Sequence, residues 1–285
     1  MNPEEPIPDL NNPWIIAAFE GWNDAGDAAT GVIDHLLEHW DARVLVELDP
    51  EEFYDFQMNR PQVGFDESDG VYIEWPTTIV YYASPPGSDR DVLLIRGLEP
   101  NMRWRKFAST LMGIAELAGA QDLIALGALL ADTPHTRPVP LTGTTTDQDL
   151  AIRLNLAPSR YSGPIGISTV LSHAASDQGL RTLSLWAAIP HYLAEPPCPK
   201  ATLALLSRVE DAMGITLPEG DLAEEAQAWQ RGADSLSESD DEIAEYVNSL
   251  ENEKDTSDLP EASGDAIARE FERYLRRRNH DDDEL

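Results

Sequence analysis

The feature that most constrains the fold is a regular alternation of short apolar runs with amphipathic helical patterns. Apolar runs typical of strands buried on both faces occur at 14–20, 91–97, 122–131 and 180–190. Apolar residues spaced three and four apart predict helices over 25–40, 102–120, 166–179 and 199–214. This order predicts an α/β fold, namely a three-layer α/β/α domain with a mostly parallel sheet.

Three other segments complete the predicted sheet or connect it. The run at 42–49 reads as a strand, so that 14–49 resembles one βαβ unit. The runs at 71–75 and 78–84 lie on either side of Pro76, and they predict a hairpin or two short antiparallel strands. The stretch 130–147 is rich in Pro, Thr and Gly and is predicted to be a long ordered loop.

The acidic charge of the chain excludes several classes of partner. Its 52 acidic and 20 basic residues give a formal net charge of −32. Such a surface repels phosphate backbones and anionic lipid, so we expect no nucleic-acid binding and no membrane binding. The one cysteine, Cys198, rules out a disulfide within the chain. With no secretory h-region near Met1, we expect a cytoplasmic protein.

The charge is concentrated at the C-terminal end. Residues 219–285 hold 22 acidic and 7 basic residues. We therefore predict an α/β domain over 1–218 and an acidic helical extension over 219–285. Within the extension we predict helices at roughly 221–236, 239–252 and 263–278, followed by disordered last residues.

The extension has two possible roles. It packs on the body or on a neighbouring subunit, or it is a mobile arm for a basic partner. Three spaced aromatic residues favour packing, because a free acidic tail is usually poor in them. The predicted anchors are Trp229, Tyr246 and Phe271.

The segment EGWNDAG at 20–26 joins a predicted strand to a helix, as a phosphate-binding loop does. Asn23 stands between Gly21 and Gly26, where a dinucleotide fingerprint has a glycine, and Asp24 would repel a phosphate. The alternative is a tight turn in which Asn23 or Asp24 caps the helix. An indole at the tip of the turn, from Trp22, indicates a contact with a ligand or a subunit.

Polar groups also follow the other predicted strands. Arg103, near a helix N-terminus, either meets an anion or forms an ion pair with Glu99 over a packed Trp104. His135 is either a general base or a hydrogen-bonded structural residue. Further polar candidates are Arg137, His191 and Tyr192. No His/Cys cluster has metal-ligand spacing, so we expect neither a metal nor a cofactor.

The order and spacing of these motifs carry a family resemblance. The segments IIAAFEGWNDAGDAATGVIDHL, LLIRGLEPNMRWRKFA and LIALGALLADTPHTRPVPLTGT, followed by YSGPIGISTVL and LSLWAAIPHYL, together resemble the actinobacterial branch of the proteasome assembly chaperone 2 family. The resemblance covers roughly 10–214 and implies a fold similar to phosphorylase/hydrolase-like domains. The loop positions it matches are Gly21, Trp22, Asn23, Asp24, Gly26, Glu99, Arg103, Trp104, His135, Arg137, His191 and Tyr192.

We treat these positions as one candidate cleft or interface, which leaves two hypotheses of function. The first, which the resemblance implies for relatives, is a non-enzymatic scaffold or assembly factor that forms a homo-oligomer and binds another protein. The second is an enzyme or small-molecule binder, hydrolase- or phosphorylase-like, with a cleft at the carboxyl ends of the strands. The absence of a strong catalytic set favours the first.

Overall fold

The fold is described from a computed structural model, which covers residues 8–66, 70–159 and 161–257. These residues form nine strands and seven α-helices. The strands are β1 (Trp14–Glu20), β2 (Arg43–Glu47), β3 (Gln62–Asp66), β4 (Gly70–Glu74), β5 (Thr78–Ala83), β6 (Val92–Leu98), β7 (Asp122–Ala131), β8 (Leu141–Thr145) and β9 (Arg181–Pro190). The helices are α1 (Ala28–His39), α2 (Trp104–Leu117), α3 (Gln148–Arg153), α4 (Ile167–Asp177), α5 (Pro199–Met213), α6 (Leu222–Ser239) and α7 (Asp241–Ser257).

Seven strands form one mixed sheet in the order β2-β5-β6-β1-β7-β9-β8. The central pairs β6–β1, β1–β7 and β7–β9 are parallel, whereas β5 and β8 run antiparallel to their neighbours. Strands β3 and β4 form a separate two-stranded antiparallel ribbon.

Helices cover both faces of the sheet because the central strands are apolar on both sides. On β1, Ile16 and Ala18 face the core beneath α1 and α5, whereas Ile15, Ala17 and Phe19 face the core beneath α2 and α4. The alternation follows from the two-residue period of a strand. The predicted three-layer α/β/α fold is thereby confirmed.

The predicted βαβ unit over 14–49 differs from the structure in one respect. β2 is not adjacent to β1 but forms the edge of the sheet, and β5 and β6 lie between them. β2 instead pairs antiparallel with β5, through a register shift between Val44 and Val46. Its mostly exposed side chains fit an edge position better than the centre.

Of the two alternatives for 71–84, two short antiparallel strands are confirmed and a hairpin between them is wrong: β4 pairs with the unpredicted β3, and β5 joins the main sheet. The predicted loop 130–147 contains strand β8, which pairs with β9. β8 is rich in Thr, which suits an edge strand. Because it lacks an apolar run, the sequence pattern does not predict it as a strand.

The predicted C-terminal helical extension is confirmed for α6 and α7, and both pack on the body. Leu222 belongs to the core beneath α1 and α5, and Trp229 packs against that core. Tyr246 on α7 packs its ring edge-to-face against Tyr192, with 5.8 Å between the ring centroids. The third predicted helix, 263–278, and Phe271 lie outside the described residues. The domain boundary at 218 stays a prediction.

Candidate functional site

The loops after β1, β6, β7 and β9 lie at one edge of the sheet, because these parallel strands end there. Doubly wound proteins bind ligands at this edge. The twelve predicted site residues fall on these four loops, and the structure divides them into two clusters.

The first cluster is built around the turn between β1 and α1. Asp24 Oδ1 accepts a hydrogen bond from the Ala29 backbone N–H at 2.6 Å, and Oδ2 accepts from the Thr30 N–H at 3.1 Å. The Thr30 hydroxyl also donates to Oδ2. The carboxylate of Asp24 therefore occupies the anion position at the N-terminus of α1. The prediction that this turn caps the helix is confirmed.

Burial changes the chemistry of the Asp24 carboxyl. Loss of hydration is the largest influence, and it raises the pKa of Asp24 to about 6 against the opposing hydrogen bonds from Thr30 and Ala29. Two glycines shape the turn, since Gly21 and Gly26 both have positive φ, at 106° and 59°. A Cβ on Gly26 would also lie 2.9 Å from the Cβ of Cys198.

Asn23 and Glu99 connect three loops at this edge. The Asn23 side-chain amide donates to Glu99 Oε1 at 2.6 Å, and the Ile167 backbone N–H donates to the same oxygen at 2.8 Å. Glu99 therefore caps helix α4. Asn23 also accepts a backbone hydrogen bond from Ala128 at 2.7 Å, which ties the turn to β7. Gly166 lies so close that an added Cβ would be 1.7 Å from Asn23 Oδ1.

The predicted Glu99–Arg103 ion pair is wrong. Glu99 is bonded to Asn23 and Ile167, and the described residues contain no ion pair between it and Arg103. Arg103 is exposed in the left-handed backbone region, with φ of 57°, immediately before α2. Trp104 is packed as predicted, and its indole N–H donates to the Pro100 carbonyl at 2.5 Å. Trp22, by contrast, is 65% exposed.

The second cluster is centred on His135, which is 2% exposed. The His135 backbone N–H donates to the Tyr192 hydroxyl oxygen at 2.9 Å, and this oxygen lies 2.7 Å from Nδ1 of the same histidine. The Tyr192 hydroxyl and Nδ1 are therefore hydrogen-bonded to each other, with the donor set by the tautomer of His135. Nε2 lies 3.3 Å from the carboxylate of Asp234 on α6.

Burial also sets the ionisation of this cluster. It is the largest influence on His135, where it lowers the pKa despite the attraction of Asp234. It raises the pKa of Tyr192 and lowers that of Lys200. Nδ1 of His135 is bonded to the Tyr192 hydroxyl, and Nε2 is enclosed beside Asp234 with no hydrogen bond among the described residues, so the geometry favours a structural histidine over an accessible general base.

Helices α6 and α7 close over this second cluster. Arg137 forms an ion pair with Glu251 on α7 at 3.0 Å. His191 Nε2 lies 3.1 Å from Asp132, and the Tyr246 hydroxyl donates to the same carboxylate at 2.5 Å.

Lys200 joins the loops to α6. Its ammonium donates to the carbonyl oxygens of His135 and Arg137, at 2.5 and 3.0 Å, and to Gln230 Oε1 on α6 at 2.6 Å. Sequence reasoning missed this residue. One signal was available: a lysine directly after Pro199, in the first turn of a predicted helix, is disfavoured by the helix dipole and calls for a partner.

The space left between these groups is small. A cavity of about 10 Å³ is lined by residues of the second cluster and their neighbours, including His135, Arg137, Lys200 and Trp229. That volume holds about one water molecule. Gly26 connects the two clusters, because its carbonyl accepts the Cys198 backbone N–H at 2.8 Å.

Metal-binding clusters and membrane-spanning helices are both absent from the described part of the chain. No group of three or more His, Cys, Asp or Glu side chains is arranged to hold a metal ion there. Over the same residues, no helix has both the length and the apolar character needed to cross a membrane.

Comparison with known proteins supports the resemblance. The model of the PAC2 family matches residues 18–237. A PAC2 family protein from Streptomyces avermitilis MA is similar with a TM-score of 0.77 and 50% identity, over 82% of this chain and 99% of that chain. The proteasome-assembly chaperone homologue Rv2125 of Mycobacterium tuberculosis is similar with a TM-score of 0.75 and 47% identity, over the same shares.

One more distant solved structure is similar in fold alone. PbaB of Pyrococcus furiosus, an archaeal proteasome activator, has a TM-score of 0.65 at 18% identity, over 80% of this chain and 95% of that chain. No curated protein matches this chain. The family model matches most of this chain, and two structures at 50% and 47% identity come from the actinobacteria Streptomyces and Mycobacterium. The chain therefore belongs to the PAC2 family.

Proposed function

We propose that this chain is a non-enzymatic, oligomeric factor that binds other proteins in the cytoplasm, with proteasome subunits as the first partners to test. One observation carries the proposal: the edge of the sheet that holds ligands in doubly wound folds is occupied by the chain's own groups. Asp24 takes the anion position of α1, Glu99 takes that of α4, and α6 and α7 place Asp234 and Glu251 beside His135 and Arg137.

The exposed groups at the same edge suit a protein partner. Trp22 projects from the turn after β1 and is 65% exposed, while Leu129 and Leu130 at the end of β7 are exposed as well. Aromatic side chains of this kind are enriched among the residues that dominate protein–protein binding energy. The relationship to the proteasome-assembly chaperone homologue Rv2125 supports the same class of function.

Reconstitution tests the proposal directly. Purified α-type and β-type proteasome subunits from the organism that encodes this chain are mixed with and without it, and assembly is followed by native mass spectrometry. We expect a stable complex with one subunit type, or faster appearance of assembled particles. Trp22→Ala should weaken the effect, whereas Leu117→Ala, which removes an equally exposed apolar side chain from α2, should not.

Two results would contradict the proposal. One is the absence of any complex or rate change with either subunit type. The other is a melting-temperature rise with a nucleoside, phosphate or metabolite that Trp22→Ala and Arg103→Ala both abolish, since ligand binding to the folded state raises the melting temperature. The second result would favour a small-molecule binder or enzyme.

A further inference from the structure

Three basic side chains meet beneath α6 and α7, although basic residues are scarce in this chain. The sequence has 20 Lys and Arg against 52 Asp and Glu. His135 and Arg137 lie on the loop after β7, Lys200 lies in the first turn of α5, and all three line one cavity. Assembling them costs free energy, because like charges repel and a lysine in the first turn opposes the helix dipole. We call these three residues the basic cluster.

Carboxylates of the chain itself cover the basic cluster. They belong to the stretch 230–252, which contains the last turns of α6 and most of α7 and which we call the strap. Asp234 Oδ1 lies 3.3 Å from His135 Nε2, and Glu251 Oε1 accepts a hydrogen bond from Arg137 at 3.0 Å. The strap therefore holds its own anions where the basic cluster could hold those of another molecule.

Little apolar surface fastens the strap to the body. The apolar side chains that are buried in the strap are Ala233, Val247 and Leu250, and none of them belongs to either hydrophobic core. Leu222, by contrast, belongs to the core beneath α1 and α5 and anchors the start of α6. Partly exposed ion pairs add little stability, and segments with few buried apolar contacts open at the lowest free energy. The strap is therefore the part of α6 and α7 that opens most readily.

The fit between the strap and the basic cluster is incomplete. His135 is buried, and its Nε2 has no hydrogen bond among the described residues, although Asp234 lies close to it. A cavity of about 10 Å³ remains beside it. Buried polar groups in permanent contacts are nearly always hydrogen-bonded. The unsatisfied nitrogen and the gap indicate that the strap is a replaceable occupant of this site.

We propose that the strap is autoinhibitory, and that the basic cluster beneath it binds the carboxylates of an acidic segment of a partner protein when the strap opens. The ammonium of Lys200 and the guanidinium of Arg137 form charge-assisted hydrogen bonds with carboxylates, and a guanidinium can do so with two parallel bonds. The net charge of −32 does not prevent this, because salt screens charges beyond about 8 Å at physiological ionic strength.

A protein segment fits this site better than a small anion does. With the strap closed, the cavity holds about one water molecule, so a ligand must replace the strap. The groups to be replaced are side chains on two helices, which a protein segment can imitate along its length. The inference rests on the proposed function in one respect, namely that the partner is a protein.

The test compares full-length variants that change the net charge equally. Asp234→Asn/Glu251→Gln, the strap variant, removes the two carboxylates that face the basic cluster. Glu225→Gln/Glu245→Gln is the matched control, because it removes one exposed carboxylate from each of the same two helices. Melting curves establish that each variant is folded.

Hydrogen exchange measures the opening of the strap. We expect amides in 230–252 to exchange at least about threefold faster in the strap variant than in the parent or the control, because two ion pairs no longer oppose local opening. Exchange in β1 should stay the same. Equal exchange of the strap in the strap variant and the control would overturn the autoinhibitory contact.

Fluorescence anisotropy of a labelled hexaglutamate peptide measures binding to the site. We expect the strap variant to bind this peptide at least about threefold more tightly than the parent or the control, since a closed strap lowers the apparent affinity by the fraction of open molecules. Labelled hexaglutamine should not bind. Equal affinities, or no binding by the strap variant, would overturn the inference.

Replacement of Lys200 in the strap variant distinguishes the site from the strap. Lys200→Met also removes a bond to Gln230 on the strap, so opening alone would tighten peptide binding. We expect binding to weaken at least about tenfold instead, because the ammonium itself bonds the peptide carboxylate. Lys200→Arg keeps the positive charge and should retain binding. Unchanged or tighter binding by Lys200→Met would overturn the assignment of the site.

Free glutamate tests the class of ligand. At the same concentration of carboxylate groups as the peptide, it should not displace labelled hexaglutamate from the strap variant, because a single amino acid cannot reach several members of the basic cluster at once. Displacement by free glutamate would assign the site to small carboxylates and overturn the choice of a protein segment.

The two proposals fail in different experiments. If the strap variant binds hexaglutamate no better than the control while reconstitution with proteasome subunits succeeds, autoinhibition is wrong and the function stands. If hexaglutamate binding depends on the strap and on Lys200 as expected, but neither the parent nor the strap variant affects the subunits, the function is wrong and the site stands.

Discussion

The carboxylate of Asp24 caps the N-terminus of α1, because its Oδ1 accepts a hydrogen bond from the backbone N–H of Ala29 at 2.6 Å. In many α/β proteins a phosphate of the ligand takes this position. Here the protein supplies the anion itself, and it does so with a group that burial makes reluctant to ionise.

Asp24→Asn should therefore change how stability depends on pH. In the folded state the pKa is about 6, against 3.8 for the free side chain. Between these values the unfolded chain loses its proton while the folded chain keeps it. The contribution of Asp24 to the free energy of unfolding thus falls as pH rises from about 4 to 6, by about 3 kcal/mol.

Urea unfolding of both proteins at several pH values measures this effect. The stability of the parent minus that of Asp24→Asn should decrease across this range and level off above it. A difference that stays constant from about pH 4 to 7 would show that burial does not raise the pKa of the Asp24 carboxyl.

Gly166→Ala should destabilise the protein by about 1–3 kcal/mol, as overpacking of a filled site does. The added methyl would overlap Asn23 Oδ1, and the strain would spread to Glu99, which holds Asn23 and the start of α4. Gly113→Ala is the control, because α2 has open space there and alanine favours a helix. Equal stabilities of the two variants in urea would contradict the close approach.

Lys200→Met should loosen the C-terminal helices. It removes a half-buried ammonium that bonds two loop carbonyls and Gln230 on α6, with an expected cost of about 2–3 kcal/mol. Hydrogen exchange should rise in Leu222–Ser239 before it rises in β1. Lys106→Met is the control, since its ion pair with Glu52 is largely exposed and should matter far less. Unchanged exchange in α6 would mean that Lys200 does not hold it.

Two tryptophans should behave differently when replaced by alanine. Trp104 is packed beside the core under α2 and bonds Pro100, so its loss should cost about 3 kcal/mol. Trp22 is mostly exposed, so its loss should change stability by under about 0.5 kcal/mol. Thermal melting distinguishes them. A large destabilisation by Trp22→Ala would show that the indole stabilises the fold, and it would contradict the proposal that Trp22 contacts a partner.

The strands and helices that could be predicted share a strong local pattern. β1, β6 and β7 are apolar on both faces, and α5 begins at Pro199 and ends before Gly214, whose φ is 71°. β3 and β8 were not predicted, because a short, partly polar strand has little local pattern and forms only where a neighbouring strand pairs with it. The Asp24 cap was accessible from sequence, since its partners lie five and six residues away.

What the sequence by itself determined is therefore the local part: the layer architecture, the acidic surface, the glycine-shaped turn and its cap. Only the tertiary structure decided that Glu99 bonds Ile167 rather than Arg103, that Tyr192 holds His135, and that Tyr246 reaches Asp132. Periodicity and capping act over a few residues, so one segment of chain reveals them. Hydrogen bonds between loops depend on which strands become neighbours, and the packing of the whole sheet decides that.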